Sequence, residues 1–402
     1  METQLTEGIH WVGVIDWNLR DFHGYAVRGG STYNAYIVLD EKTALIDTVK
    51  APFGPELLDK VRAHVPLDRV DYVVCNHAEL DHAGALPQVM AACPNATLIC
   101  DAKCKDELAM HFDVSGWRIQ VVDSGASISL GKRTLQFVAT PMVHWPESMV
   151  TYIPEEKLLF SMDAFGQHLA TTARFDDEVP LDAILEEARR YFANILMPFG
   201  RPINRAIDAL AALPLDIVAP SHGVIWRKNF AAIVAAYRAW TECRPAPRVL
   251  VIYDSMWKST EAMARAIVEG AGIPGVEARL LHLRQNAMAE IVNDLLDAPC
   301  VALGSPVQNN MVMPQVGALM TYLRGLKPAH KAGFFFGSYG WSRNAAADEA
   351  AKFFEAVKFD VIREPLLNQF VPKAECLEAC REAGRALAEE ALKRANAAAQ
   401  AN

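Results

Sequence analysis

Two different rhythms of apolar and polar positions run along the chain, and they change over near residue 243. In the first half, short apolar or alternating runs follow one another: STYNAYIVLD, TALIDTV, DYVVCN, ATLIC, IQVVDSG, LQFVATP, MVTYIP and LLFSMD. Gly, Pro or Asp turns separate them, which marks strands rather than helices. Helical periodicity appears late in this half, in LDAILEEARRYFANIL and NRAIDALAAL. The segment CRPAPR, Cys243 to Arg248, holds two prolines in six residues and reads as a linker.

Beyond it, strand-type and helix-type segments alternate strictly. RVLVIYDS, VEARLLHL, CVALGSP and KAGFFFGSY read as strands; STEAMARAIVEGA, NAMAEIVNDLLD, PQVGALMTYLRGL and NAAADEAAKFFEAV read as the helices between them. A last strand and the helix AECLEACREAGRALAEEALKRA close the series. Such alternation predicts a parallel, doubly wound sheet of about five strands. The Ala-rich C-terminus is expected to be a surface helix with a frayed end. Two domains follow, over residues 1–244 and 248–402, and a chain of 402 residues is too long for one ordinary core.

Composition narrows the function classes. Hydrophobic residues make up 51% and charged residues 22%, as in ordinary soluble domains. A net charge of -9 argues against a nucleic-acid surface. No apolar run is long enough to span a membrane, and METQLTEGIHW lacks a signal-peptide layout. The eight cysteines form no small-domain disulfide framework. A reduced, cytoplasmic protein is the expectation.

The stretch NHAELDHAG, Asn76 to Gly84, places His77, Glu79, Asp81 and His82 just after an apolar strand. His77, Glu79 and Asp81 alternate, so extended backbone would face them one way. Asp81 and His82 are adjacent and converge only if the chain turns there. His144 in TPMVHWPES, Asp163 in LFSMDAFG and His222 in IVAPSHGV also follow apolar strands, which puts them on the same rim. One His or Asp at a strand end is ordinarily a turn or cap residue, and His10, His23, His64, His111, His168, His282 and His330 include such cases. Seven groups sharing one topological position point instead to two adjacent metal ions. Nitrogen and carboxylate donors without thiolate suit zinc, iron or manganese. Asp163 is the bridging candidate, because a carboxylate has two oxygens.

HAELDH, followed by His144, Asp163 and His222, resembles the metallo-β-lactamase superfamily, whose hydrolase form reads HxHxDH and holds zinc. Here Glu79 stands at the second His position. That departure, with DWNLRDFHGY, TYNAYIV, ELDHAGALP, HWPESM and YDSMWKSTE, resembles the flavodiiron proteins through nearly the whole chain. The resemblance implies an α/β chain: an N-terminal metallo-β-lactamase-like αβ/βα sandwich with a non-haem di-iron site, then a C-terminal flavodoxin-like doubly wound parallel sheet with FMN. It implies His77, Glu79 and His144 on one iron, Asp81, His82 and His222 on the other, and Asp163 between them. It also implies His23 and Tyr191 as hydrogen-bonding groups near the metals. His82 is the ligand on which members of the family differ. An added carboxylate at Glu79 favours ferric iron more than an imidazole would.

In the second half, YDSMWKST joins the first strand to the first helix. Hydroxyls of Ser255, Ser259 and Thr260 and the backbone N–H groups there can cradle a phosphate, with Met256, Trp257 and Lys258 between them. Neither GxGxxG nor GxxxxGK[ST] is present, and a hydroxyl-rich turn suits the terminal monophosphate of FMN rather than FAD. SPVQNN (Ser305, Pro306, Val307, Asn309, Asn310) and GSYGW (Ser338, Tyr339, Gly340, Trp341) lie at the carboxyl ends of neighbouring strands, where such sheets bind ligands. No nicotinamide-binding unit and no rubredoxin-like pair of CxxC motifs is visible, so electrons are expected from a separate small carrier such as rubredoxin.

Three functions remain open on these residues. An oxidoreductase would pass electrons from FMN to a diferrous site that reduces O2 to water, NO to N2O, or both. A dinuclear zinc hydrolase would carry the flavodoxin-like half as an accessory domain. An electron-transfer module would keep its metals for structure. For the oxidoreductase, nothing guarantees that the metal rim and flavin edge of one chain face each other, and the family resemblance implies a head-to-tail homodimer or a dimer of dimers.

Overall fold

A computed structural model describes residues 3–400. The chain divides into two compact units. One comprises the chain up to Tyr191 together with Phe199–Arg238; the other comprises Phe192–Pro198 and the chain from Ala239.

The first unit is a sandwich of two sheets. The larger has seven strands in the order Gln4–Thr6, Ile9–Trp11, Tyr36–Val38, Thr43–Ile46, Val70–Val74, Thr97–Cys100 and Ile119–Val121. The smaller has five, in the order Ser127–Ser129, Thr134–Ala139, Met149–Ile153, Leu158–Met162 and Ile217–Pro220. Alternation along the strands sorts the core into layers. Val38, Ala44, Ile46, Val74 and Ile99 pack with Leu135, Phe137, Leu158 and Phe160 between the sheets. Their neighbours Ile37, Leu45, Val73 and Leu98 face outward, against Leu57 and Val61 of the helix Gly54–Arg62, Leu86 and Val89 of Leu86–Ala92, and Leu108 of Ala102–His111. Both faces of the central strands are therefore apolar, which explains their unbroken hydrophobic runs.

Parallel pairing sets the rim. Val70–Val74 runs parallel to Thr43–Ile46 and to Thr97–Cys100, and Leu158–Met162 runs parallel to Ile217–Pro220. The segments after Val74, Met162 and Pro220 leave the sheets at strand C-terminal ends, and these segments carry six of the seven metal-type side chains.

The second unit holds a sheet with the order Glu277–His282, Arg248–Tyr253, Cys300–Gly304 and Ala332–Tyr339, all parallel. The expected fifth strand is two short pieces, Asp360–Val361 and Leu366–Gln369, both pairing with Ala332–Tyr339. This is the doubly wound order of the flavodoxin type. One face packs Val249, Val251, Ala302, Phe334 and Phe336 against the helices Ser259–Ala271 and Ala374–Gln400. The C-terminal helix is thus more than a surface helix: Cys380, Ala383, Leu387, Ala388 and Ala391 are buried. A Cβ at Gly384 would sit 1.9 Å from the carbonyl oxygen of Ile267, so only glycine permits the two helices to cross that closely.

Candidate functional site

The loop after Val70–Val74 is held before it reaches its first metal-type residue. Asn76 donates from its backbone and side chain to Asp47, at 2.8 and 2.9 Å, and its Oδ1 accepts from Thr151 at 2.7 Å. Glu79 is extended, at φ -60 and ψ 142, and the chain then turns into a short helix, Leu80–Ala83. That turn is what lets the adjacent Asp81 and His82 converge. His77 and Glu79 go to a cluster with His144 and Asp163, while Asp81 and His82 go to a second cluster with His222.

Asp163 lies between the two. Its Oδ2 is 3.4 Å from His77 Nε2 and 3.3 Å from His144 Nε2. Its Oδ1 is 3.1 Å from His82 Nε2 and 3.3 Å from His222 Nε2. Glu79 Oε2 is 3.2 Å from both His77 Nε2 and His144 Nε2, and Asp81 lies 3.3 and 3.2 Å from His82 and His222. Neighbouring donors on one ion with bonds of about 2.1 Å are separated by roughly 3.0–3.4 Å, for octahedral and tetrahedral shells respectively. The set therefore fits two ions sharing Asp163. Both oxygens of Asp81, both of Asp163 and Nε2 of His82 are buried without a hydrogen-bond partner among the described residues. Such groups are costly to leave unpaired, and a cation between them removes the cost.

The outer nitrogens fix the rings. His77 Nδ1 is 2.5 Å from Glu147 Oε1, and His222 Nδ1 is 2.7 Å from the Thr32 carbonyl. Each Nδ1 carries the proton and turns Nε2 inward, as ligating histidines require. Gly223, at φ 78, makes the turn beside His222 and donates to Thr32 Oγ1 at 2.7 Å; a Cβ there would meet Gln167 at 1.9 Å. Burial alone would push the His144 and His222 imidazoles down. Asp163 with Glu79, and Asp163 with Asp81, more than offset it and hold them at about 9 and about 10. Burial would raise the Asp163 carboxyl, yet the surrounding imidazoles keep it well below the usual range.

His23 and Tyr191 both lie close to the clusters. His23 Nε2 is 2.6 Å from Glu79 Oε1, the oxygen that turns away from His77 and His144. That bond raises the His23 imidazole above its ordinary value, against partial burial. Tyr191 is buried, stacked on His168 at 5.1 Å, with its ring 6.0 Å from His222. Burial pushes its hydroxyl well up, so it stays protonated. His168 belongs to this layer too: its ring stacks on His222 at 5.0 Å and its Nε2 meets the Tyr25 hydroxyl at 3.2 Å. Burial and the nearby His222 hold it neutral. An isolated His in QHLATT gives no sequence signal for that role. Glu147 and Thr32 were equally silent. A cavity of about 520 Å³ opens onto Glu79 and Asp81, with Phe22, His23, Lys50 and Trp145 among its walls.

In the second unit a cavity of about 440 Å³ lies at the carboxyl edge of the sheet. Met256, Trp257, Ser259, Pro306, Val307, Asn309, Asn310, Ser338, Tyr339, Gly340 and Trp341 line it, joined by Phe370 and Val371 from beyond the last strand. Ser255, Lys258, Thr260 and Ser305 do not line it. Thr260 is buried and its hydroxyl pairs with Ser338 Oγ at 2.9 Å. Ser305 Oγ donates to the Pro306 carbonyl and accepts from Met313 N–H, at 2.8 and 2.9 Å, which shapes its loop. Lys258 takes φ 67 just before the helix Ser259–Ala271 and offers no side-chain cap. Asp254 anchors the first loop from below, accepting from Ser255 N–H at 2.7 Å and pairing with Arg284 at 3.0 Å and His282 at 3.2 Å. Trp257 is 91% and Trp341 78% exposed, so both rings have free faces.

The geometry thus describes a two-metal type of centre on a metallo-β-lactamase-like sandwich, followed by a flavodoxin-like sheet with a ligand cavity at its switch edge. Family models agree: one described as ODP family beta lactamase matches residues 31–223, and one described as flavodoxin matches residues 251–384. The chain is 44% identical over 391 residues to a nitric oxide reductase of Moorella thermoacetica, covering 96% of this chain and 97% of that one. It is 40% identical over 375 residues to the rubredoxin-oxygen oxidoreductase of Megalodesulfovibrio gigas, covering 92% and 93%. The solved flavodiiron protein of Giardia intestinalis superposes with a TM-score of 0.95 at 36% identity, covering 99% of this chain and 98% of that one. The chain belongs to the flavodiiron protein family.

Proposed function

We propose that this protein is an oxidoreductase that takes electrons from a small carrier protein, rubredoxin or a similar one, and reduces O2 to water, NO to N2O, or both. The observation that carries the reading is Asp163, one of whose oxygens faces His77 and His144 while the other faces His82 and His222. His77, Glu79, His144 and Asp163 would hold one iron; Asp81, His82, His222 and Asp163 would hold the other. Ser259, Asn309, Asn310 and Ser338 would bind FMN by its polar atoms, with Trp257, Tyr339 and Trp341 against its ring. Bound there, iron would supply redox change and open positions for a diatomic molecule such as O2 or NO, and FMN would supply electrons from the carrier one at a time or in pairs.

The protein's own groups prepare that chemistry. His23 engages Glu79 Oε1 and so leaves Oε2 alone to point at His77 and His144. Tyr191 and the neutral His168 pack against His222 and limit its rotation. Tyr191 keeps its proton and can donate it in a hydrogen bond. The zinc-hydrolase reading is set aside: the relatives carry reductase names over nearly their full length, and an acidic Glu79 suits ferric iron. The structural-metal reading fails on the cavity that opens onto Glu79 and Asp81.

The site works between chains, in a head-to-tail homodimer or a dimer of such dimers, located in the cytoplasm. Two measurements test the assignment together. Metal analysis should find two irons per chain, and the purified protein should show an FMN spectrum. Zinc without flavin would contradict it. For assembly, His222→Ala and Ser259→Asp variants, each inactive alone, should regain partial turnover after subunit exchange; proven exchange without recovery would contradict the shared site.

A further inference from the structure

A fully buried carboxylate, Asp254, lies beneath the first loop of the flavin cavity. It follows the strand Arg248–Tyr253, which runs between Glu277–His282 and Cys300–Gly304. Both neighbours hold the backbone there: Asp254 N–H donates to the Gly304 carbonyl at 3.1 Å, and Leu283 N–H donates to the Tyr253 carbonyl at 2.9 Å. Three groups then meet the carboxylate. Its Oδ1 accepts from the Ser255 backbone N–H at 2.7 Å and lies 3.2 Å from His282 Nε2. Arg284 Nε reaches both oxygens, 3.0 Å from Oδ1 and 3.1 Å from Oδ2. Among the described residues no other cation pairs with Asp254.

Sheet register brings these partners in. Tyr253 and His282 are opposite each other in the parallel pair, and their rings stack at 4.9 Å. The His282 carbonyl accepts from the N–H groups of Gln285 and Asn286, at 2.9 and 3.0 Å, and from Asn286 Nδ2 at 2.9 Å. The turn thus closes on itself and sets Arg284 beside Asp254. On the other side of Asp254 the loop runs on to the helix Ser259–Ala271, whose first N–H groups favour an anion. The Ser255 hydroxyl in that loop is buried and without a partner among the described residues, so it is a donor that an anion would take up. A phosphate monoester carries a charge of about -1.5 to -2 at neutral pH. An unanswered carboxylate behind the loop would repel it, and Arg284 cancels that repulsion.

We propose that Arg284 is a positioning residue for the flavin phosphate: its guanidinium neutralises and holds Asp254, and Asp254 in turn fixes the Ser255 backbone at the start of the phosphate turn. The role rests on the reading that this cavity takes FMN. Charge rather than packing is the reason for the residue. The Arg284 side chain is 52% exposed and that of Asp254 0% exposed. Shortening Arg284 therefore costs little packing, but it leaves a buried carboxylate without its counter-charge.

The experiment titrates the full chain, freed of flavin, with FMN and with riboflavin, which has the same ring and no phosphate. Three chains are compared by flavin fluorescence: unaltered, Arg284→Gln, and the double variant Asp254→Asn with Arg284→Gln. Arg284→Gln should bind FMN about tenfold more weakly while its riboflavin affinity stays within about twofold of the unaltered chain. The double variant removes the charge that Arg284 answers, so it should bind FMN more tightly than Arg284→Gln alone, the coupling expected of a direct pair. An equal fall for FMN and riboflavin would overturn the proposal, since a merely structural role moves both. A double variant no tighter than the single one would overturn it too. If the double variant does not fold, the comparison of the two flavins in Arg284→Gln still decides. An unaltered chain that binds FMN, with Arg284→Gln indifferent, would overturn the positioning role alone. An unaltered chain that binds neither flavin would overturn the FMN reading and the proposal with it.

Discussion

The metal centre and the flavin cavity are built in opposite ways. The first is a buried knot: His77, His82, Asp81, Asp163 and His222 are all at most 3% exposed, and each is held by packing or by an outer partner. The second is an open trough whose largest side chains, Trp257 and Trp341, stand in solvent. A metal site needs donors fixed within a few tenths of an ångström, so the fold spends its interior on them. A flavin site needs a flat slot and a few polar contacts, which loops at a sheet edge provide. The metal centre should therefore fail sharply when one donor is altered, and the cavity should fail gradually.

Removing the shared carboxylate breaks the contrast most severely. Asp163→Asn should lose most of the bound iron while FMN remains, measured by metal analysis and the flavin spectrum on the same sample. Two irons per chain with unchanged turnover would remove the basis for a bridging Asp163. Stripping the metal from the unaltered chain comes next. It leaves the Asp81 and Asp163 oxygens without partners, each worth about 1–3 kcal/mol, so the first unit's unfolding transition should drop by several degrees while the second's stays in place. Calorimetry of apo and loaded protein resolves the two.

On the cavity side the effects should be smaller. Ser259→Ala removes one donor from the phosphate-type turn, a charge-assisted bond worth about 1.5–3 kcal/mol, and FMN affinity should fall roughly tenfold or more. Equilibrium dialysis measures it. Thr260→Val is the sharpening control. The Thr260 hydroxyl pairs with Ser338 rather than lining the cavity, so this variant should lose stability by about 1 kcal/mol and alter FMN affinity less than Ser259→Ala does. A larger loss for Thr260→Val would move the phosphate deeper than the cavity wall.

The same contrast explains what the sequence made legible. The seven metal-type residues could be read because each carries unusual chemistry and each ends an apolar run. The two layers of the sandwich followed from runs such as TALIDTV and LLFSMD, whose strands Thr43–Ile46 and Leu158–Met162 are buried throughout. Their partners could not be read. Glu147, Thr32 and His168 look like ordinary polar residues, and only long-range packing brings them to His77 and His222. In the cavity, topology gave the three loops, but which hydroxyl faces the ligand depends on side-chain direction at a helix start. Thr260 turned inward to Ser338, while Ser259 turned out. Phe370 and Val371 carry no sequence signal as lining residues, because the last strand is split into two short pairings rather than one apolar run. The Ala-rich end of the C-terminal helix is a surface helix as expected, but its earlier turns, with Ala383, Ala388 and Ala391, are buried. Small residues in those turns are what allow the helix to lie against the helix Ser259–Ala271.

On the proposed function, electrons from FMN are consumed at the two-metal centre. Anaerobic stopped flow tests it most directly, with fully reduced protein mixed separately with O2 and with NO and flavin reoxidation followed by absorbance. Asp163→Asn, reduced to the same level, is the comparison, since reduced flavin can react with O2 unaided. The unaltered protein should reoxidise at least tenfold faster than Asp163→Asn with one or both oxidants. Equal rates for the two proteins with both oxidants would contradict it.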